Sequence, residues 1–194
     1  HARIEQAARQ KAEELLAQQL SQLQSRRERA RLLAPQLIVH VDKEALHERL
    51  LKNLPFALTK AQARVTEEIA QDMARHVPMH RLLQGDVGSG KTIVAALAAT
   101  IAIDAGWQCA LMAPTEILAE QHFRKLVGWL EPLGVTVAWL TGSRKGKARM
   151  VMLELVASGR AALVVGTHAV IQGDVVFGRL GLAIVDEQHR FGVA

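Results

Sequence analysis

At 194 residues, 49% hydrophobic and 22% charged, the chain has the size and composition of one globular domain able to bury a core. No run approaches the roughly 18 consecutive apolar residues of a membrane helix, Arg3, Glu5, Arg9 and Lys11 do not make a signal peptide, and a single cysteine excludes an internal disulfide or a cysteine-built metal site. A soluble cytoplasmic protein is expected, and a net charge of +5 accommodates a polyanionic partner without specifying one.

In chain order, Ile4, Ala8, Ala12, Leu16, Leu20 and Leu23 recur at helical spacing and predict one long amphipathic helix over about Ala2 to Leu33. Its heptads are not sustained, which favours an interdomain strut over a coiled coil. A short helix is expected near Lys43 to Lys52, ended by Leu54-Pro55-Phe56. A helix from about Lys60 to Arg75 follows. Apolar segments Arg81 to Gln84, Gln108 to Ala113, Val135 to Leu140, Ala162 to Gly166 and Leu182 to Asp186 then read as strands. Helical stretches at Thr92 to Ala105, Glu116 to Leu130 and Lys145 to Ser158 alternate with them. The expected fold is α/β, a parallel sheet with helices on both faces, preceded by the long helix. Cys109 lies in an apolar run and reads as a small buried hydrophobe.

Gly85-Asp86-Val87-Gly88-Ser89-Gly90-Lys91-Thr92 fits the pattern Gly, four residues, Gly-Lys-Thr between an expected strand and an expected helix. Glycines allow successive backbone N–H groups to wrap phosphates at a helix N-terminus. Lys91 is then expected to reach the β- and γ-phosphates of ATP, and the Thr92 hydroxyl to bind Mg2+. The apolar run Leu180 to Val185 ends in Asp186-Glu187, two carboxylates at the mouth of a buried strand. Asp186 suits the magnesium ion and Glu187 the attacking water. Gln62 has two readings: it closes a capping box with Thr59, or its amide reads the edge of adenine.

These motifs resemble the motor signature of superfamily 2 helicases in the form carried by the RecG family. The stretch from Asp186 to Val193, the phosphate loop, Leu54 to Arg64, Met112 to His122 and Val165 to Ala169 carry the resemblance, which spans about Leu54 to Val193. It implies residues 1–53 as the linker helix and connector from a wedge domain, and residues 54–194 as the first RecA-like motor lobe. It also moves Gln62 towards adenine and makes Gln188 and His189, with Lys91, Asp186 and Glu187, part of the catalytic set. The implied DNA contacts are Pro114, Thr115, Glu116, Thr141, Gly142, Thr167 and His168. Read from the residues alone, Thr115 is the N-cap of the next helix and His168 a loop histidine. Arg144, Lys145, Lys147 and Arg149 form a basic cluster that either adds phosphate affinity or is a solvated helix face.

The resemblance implies an ATP-dependent DNA helicase acting on branched DNA, such as stalled replication forks and four-way junctions, in recombination and repair. The chain opens on His1 and ends just after the richest motif, so a piece of a longer protein is expected, nearly inactive without the second motor lobe and its arginine finger. Two other readings stand beside it: the motor lobe of a transcription-repair coupling translocase, and a phosphate-loop switch that does not move on DNA.

Overall fold

The structure, a computed structural model, describes residues 2–39, 42, 44–86 and 88–186. Six α-helices occur among these residues: α1 (Ala2–Ala30), α2 (Leu46–Asn53), α3 (Lys60–Met73), α4 (Lys91–Asp104), α5 (Glu116–Leu130) and α6 (Lys147–Ala157). The strands are β1 (Gln108–Met112), β2 (Val137–Leu140), β3 (Leu163–Gly166) and β4 (Leu180–Val185). They form one parallel sheet in the order β2-β3-β1-β4.

Strand alternation divides the interior into two layers. Cys109, Leu111, Val137, Leu163, Val165 and Leu182 face a large core with α2, α3, α4 and α5. Ala110, Ala138, Leu140 and Val164 face the other way, against Val156 of α6 and Val170. Because side chains on adjacent strand residues point to opposite faces, a strand buried on both is apolar except where a polar group is fully hydrogen-bonded, as in β3 and, after Gln108, β1. Helices on both faces are therefore as expected. In α4, Ile93, Val94, Ala96, Leu97, Ala98, Ala99, Ile101 and Ala102 are all buried. That helix is apolar nearly all round because α2, α3 and the sheet enclose it.

The ends of these elements are held by specific polar contacts. Asp104, at the C-terminus of α4, accepts from the backbone N–H groups of Leu46 and His47 at 3.1 and 3.3 Å, supplying α2 with the cap that its own Ala45 lacks. Gln108 is buried, yet its Nε2 donates to the carbonyls of Val156 and Ala161 and its Oε1 accepts from Arg179 N–H. Those bonds tie the loop after α6 and the start of β4 to β1, and they satisfy a polar group that would otherwise oppose folding. Leu37, Leu46 and Leu50 join the main core, so the connector ahead of α3 packs on the sheet layer.

One expected strand is absent. Residues 81–84 carry no regular secondary structure and make no ladder; Leu82 is 71% exposed and Arg81 is held instead by Asp72 and Glu68 of α3. Two adjacent leucines give the segment a strand-like composition, but a strand exists only through a neighbour, and β4 takes β1 on one side and nothing from 81–84 on the other. The remaining expected elements appear within a few residues of their predicted ends.

Candidate functional site

The phosphate loop runs straight into α4. Gly90 is the residue before the helix, at φ +77° and ψ 32°, and Gly88 is also left-handed at φ +84°. These are angles that L side chains resist, so the two glycines are what let the chain turn sharply into α4. Ser89 N–H donates to the Asp86 carbonyl, and Lys91 Nζ donates to the Gly85 carbonyl, folding the lysine over its own loop. Gly85 has a spatial reason as well: a Cβ there would stand 2.6 Å from Ser89 Oγ. Val87 lies outside the described residues.

Gln62 occupies the flank of this loop, with both ends of its amide engaged. Its backbone N–H donates to Thr59 Oγ1 at 3.1 Å and its Oε1 accepts from Thr59 N–H at 2.9 Å, completing the capping box. Its Nε2 donates across to the Ser89 carbonyl at 3.1 Å. Helix α3 is thereby latched to the phosphate loop, and a Cβ on Gly90 would collide with that same Nε2.

Asp186 stands at the mouth of β4, its backbone N–H bonded to the Met112 carbonyl of β1 at 2.8 Å. Its Oδ2 lies 2.6 Å from Nε2 of His122, and the other ring nitrogen, Nδ1, lies 3.5 Å from Thr92 Oγ1. The threonine hydroxyl and aspartate carboxylate expected to hold magnesium are thus joined through one imidazole ring. Both are hard oxygen donors, the kind magnesium takes from protein while phosphates and water complete its shell. Among the described residues no group of three or more His, Cys, Asp or Glu is placed to hold a metal without such help. Glu187, Gln188 and His189 lie outside the described residues.

His122 closes the stretch Met112 to His122 that carries the resemblance, which implies no role for it. A readable signal existed: it shares with Ala119, Phe123, Leu126 and Leu130 the inward stripe of α5, of which Ala119, Leu126 and Leu130 are buried. A histidine on such a stripe needs polar partners, and the residues that supply them arrive from α4 and β4, distant in sequence.

The remaining site residues lie on one rim, beyond the C-terminal ends of β1, β2 and β3. Pro114, Thr115 and Glu116 follow β1, Thr141 and Gly142 follow β2, and Thr167 and His168 follow β3. Thr115 is the N-cap of α5, accepting from Leu118 N–H at 3.3 Å. Glu116 Oε1 accepts from Ser143 N–H at 3.2 Å, joining the first two loops, and hydrogen bonding from Ser143 lowers its pKa below the ordinary carboxylate value. Thr141 is only 1% exposed, with its hydroxyl 3.1 Å from Ser143 Oγ. Pro114, Thr115, Gly142 and His168 are exposed. Of the basic cluster, Arg149 is engaged by Asp174, both of whose carboxylate oxygens it contacts, and by Gln172. Trp107 lies under Arg179, Trp129 against Phe56 and Trp139 against Phe123, so all three tryptophans are used internally.

A family model described as DEAD/DEAH box helicase matches residues 59–194, from the capping box to the end of the chain. The chain belongs to the DEAD/DEAH box helicase family. Within it, the chain is 57% identical over 181 residues to the ATP-dependent DNA helicase RecG of Escherichia coli, covering 93% of this chain and 26% of that protein. RecG of Bacillus subtilis is 59% identical over 145 residues, 75% of this chain and 21% of that one. A structure of RecG bound to a three-way DNA junction superposes with a TM-score of 0.81 at 45% identity, over 92% of this chain and 24% of that one. An ATP-dependent RNA helicase from Sulfolobus tokodaii, at 18% identity and a TM-score of 0.55, shares the fold. The resemblance to RecG read from the motifs is borne out. The chain spans about a quarter of the length of the RecG relatives it matches.

Proposed function

We propose that this chain is the ATP-binding lobe of an ATP-dependent DNA motor that remodels branched DNA, forks and four-way junctions among them, in recombination and repair. The observation that carries the nucleotide half is the convergence of Thr92, His122 and Asp186 beside a phosphate loop opened by two left-handed glycines. In this reading Gly85, Asp86, Val87, Gly88, Ser89 and Gly90 surround the phosphates, and Lys91 exchanges the Gly85 carbonyl for the β- and γ-phosphates. Thr92 and Asp186 hold Mg2+, which when bound neutralises phosphate charge. Glu187 orients the water, and Gln188 and His189 link the nucleotide to the DNA side. Gln62 uses one amide hydrogen on Ser89 and keeps a second for adenine.

DNA binding is assigned to the rim beyond β1, β2 and β3. Exposed Pro114, Thr115, Glu116, Gly142 and His168, with half-buried Thr167, offer short polar groups and backbone to the sugar–phosphate chain, which position a strand without reading its bases. Buried Thr141 acts there by holding the Ser143 loop. Residues 1–53 serve as the strut from a wedge domain, and 54–194 as the motor lobe; a second lobe completes the ATP site. Support comes from the exposed leucines of α1, Leu15, Leu16, Leu20 and Leu23, a stripe that nothing in the described fold covers.

The test is ATP hydrolysis by the full-length protein carrying this chain, on forked against linear duplex DNA, with Lys91→Ala as control. Strong stimulation by forks, lost in the variant, is expected. Hydrolysis indifferent to branching would turn the reading to a coupling translocase, and hydrolysis indifferent to DNA altogether to a nucleotide switch.

A further inference from the structure

We infer that His122 is the positioning residue of the magnesium site, setting the orientation of both Thr92 and Asp186 before nucleotide arrives. The inference rests on the proposed ATP site and adds a residue to it.

With a neutral imidazole and an ionised carboxylate, the contacts assign the roles. An ionised carboxylate only accepts, so the ring nitrogen 2.6 Å from Asp186 Oδ2 must be the one carrying hydrogen. In the neutral imidazole Nδ1 is then an acceptor, and the partner facing it is the Thr92 hydroxyl. With its hydrogen turned to the ring, Thr92 leaves its oxygen lone pairs free to face a cation. Asp186, with one oxygen taken by His122, is prevented from rotating and keeps its other oxygen for the metal or its water. One ring thereby selects the binding-competent state of two ligands that arrive from different elements, α4 and β4.

His122 is well built for that task. Its side chain is 18% exposed and Asp186 24% exposed, so water competes weakly for the contact. The ring is carried on α5, whose neighbouring side chains Ala119 and Leu126 are buried in or against the core, which leaves the helix little freedom to turn. The same helix begins at Thr115 and Glu116 on the proposed DNA rim, less than two helical turns before His122. Groups that orient metal ligands in this way typically alter metal affinity by about 10- to 100-fold when removed.

The experiment is a magnesium titration of the full-length protein with a fluorescent ADP analogue, following how far magnesium tightens ADP binding over its affinity in EDTA. Two variants of similar size separate hydrogen bonding from packing: His122→Gln keeps a donor and an acceptor at the end of the side chain, whereas His122→Leu keeps neither. The expected result is a loss of about tenfold or more in magnesium affinity for His122→Leu, with substantial recovery in His122→Gln and an unchanged ADP affinity in EDTA for both. Equal magnesium affinity in wild type and both variants, or equal losses in both, would overturn the inference. Thr92→Ala and Asp186→Asn serve as references. If they too leave magnesium affinity unchanged, it is the metal site itself that fails; if they weaken it and His122→Leu does not, only the role of His122 fails.

Discussion

Replacing Gly90 by alanine tests the link between the phosphate loop and the helix that flanks it. Two penalties combine. At φ +77° an L-residue is strained by about 1–2 kcal/mol. The new Cβ also collides with Gln62 Nε2, forcing that side chain away from Ser89 and forfeiting about 1 kcal/mol of hydrogen bonding; the disturbed capping box on Thr59 adds up to about 1 kcal/mol. The total is about 2–4 kcal/mol. Gly88 provides the internal control, since it shares the left-handed angle, φ +84°, but a Cβ there meets nothing within 4 Å. Gly88→Ala should therefore lose only the strain, about 1–2 kcal/mol. With a urea dependence of about 2 kcal/mol/M, the midpoint of unfolding should fall by about 1–2 M for Gly90→Ala and by about half that for Gly88→Ala. In a Gln62→Ala background the excess cost of Gly90→Ala over Gly88→Ala should vanish, because nothing is left to collide with. Equal midpoints for the two alanine variants in the native background, or an excess that survives removal of Gln62, would refute the reasoning.

Asp104→Ala removes the acceptor for two N–H groups of α2 and should lower stability by about 1–2 kcal/mol by urea denaturation, with Asp104→Asn recovering part of it. Cys109 is fully buried, and burial pushes its thiol pKa upward. A thiol-specific reagent should label it far more slowly in the folded protein than in the urea-unfolded chain at the same pH. Because the thiol ionises more readily in the unfolded chain, its contribution to stability is complete below about pH 8.5 and declines above it; a midpoint that rises with pH in wild type but not in Cys109→Ala would contradict this. Glu116 titrates in the opposite sense. Its lowered pKa means that the tie to Ser143 holds above the ordinary carboxylate range and is lost as pH falls through the folded value, so the Ser143 amide resonance should shift in acid, and a Glu116→Gln variant should not show that transition. The isolated 194-residue chain is expected to turn over ATP at least about a thousandfold more slowly than the full-length protein on forked DNA, since a stabilising arginine from a second lobe contributes about three to five orders of magnitude; steady DNA-stimulated turnover by the chain alone would remove the need for that lobe.

Much of this molecule was legible in one dimension because its signals are local. The phosphate loop declares itself by glycines at fixed offsets from Lys91, and positive φ at Gly88 and Gly90 is the physical requirement behind them. The double-sided strands β1 and β3 are apolar because both their faces are covered, and the capping box of Thr59 and Gln62 needs only three residues of spacing. What sequence could not decide was which neighbour each group meets. Residues 81–84 have a strand's composition, but pairing is a property of two segments, and only the sheet order shows that β4 does not take them. Thr141 has the residue type of a phosphate ligand, yet the fold buries it against Ser143. His122 lay in a recognised motif with no role until α4, α5 and β4 were packed together: Thr92 and Asp186 are 94 positions apart in the chain, and the hydrogen bonds that join them through one imidazole exist only because the parallel sheet brings its strand ends and the helix N-terminus to the same side.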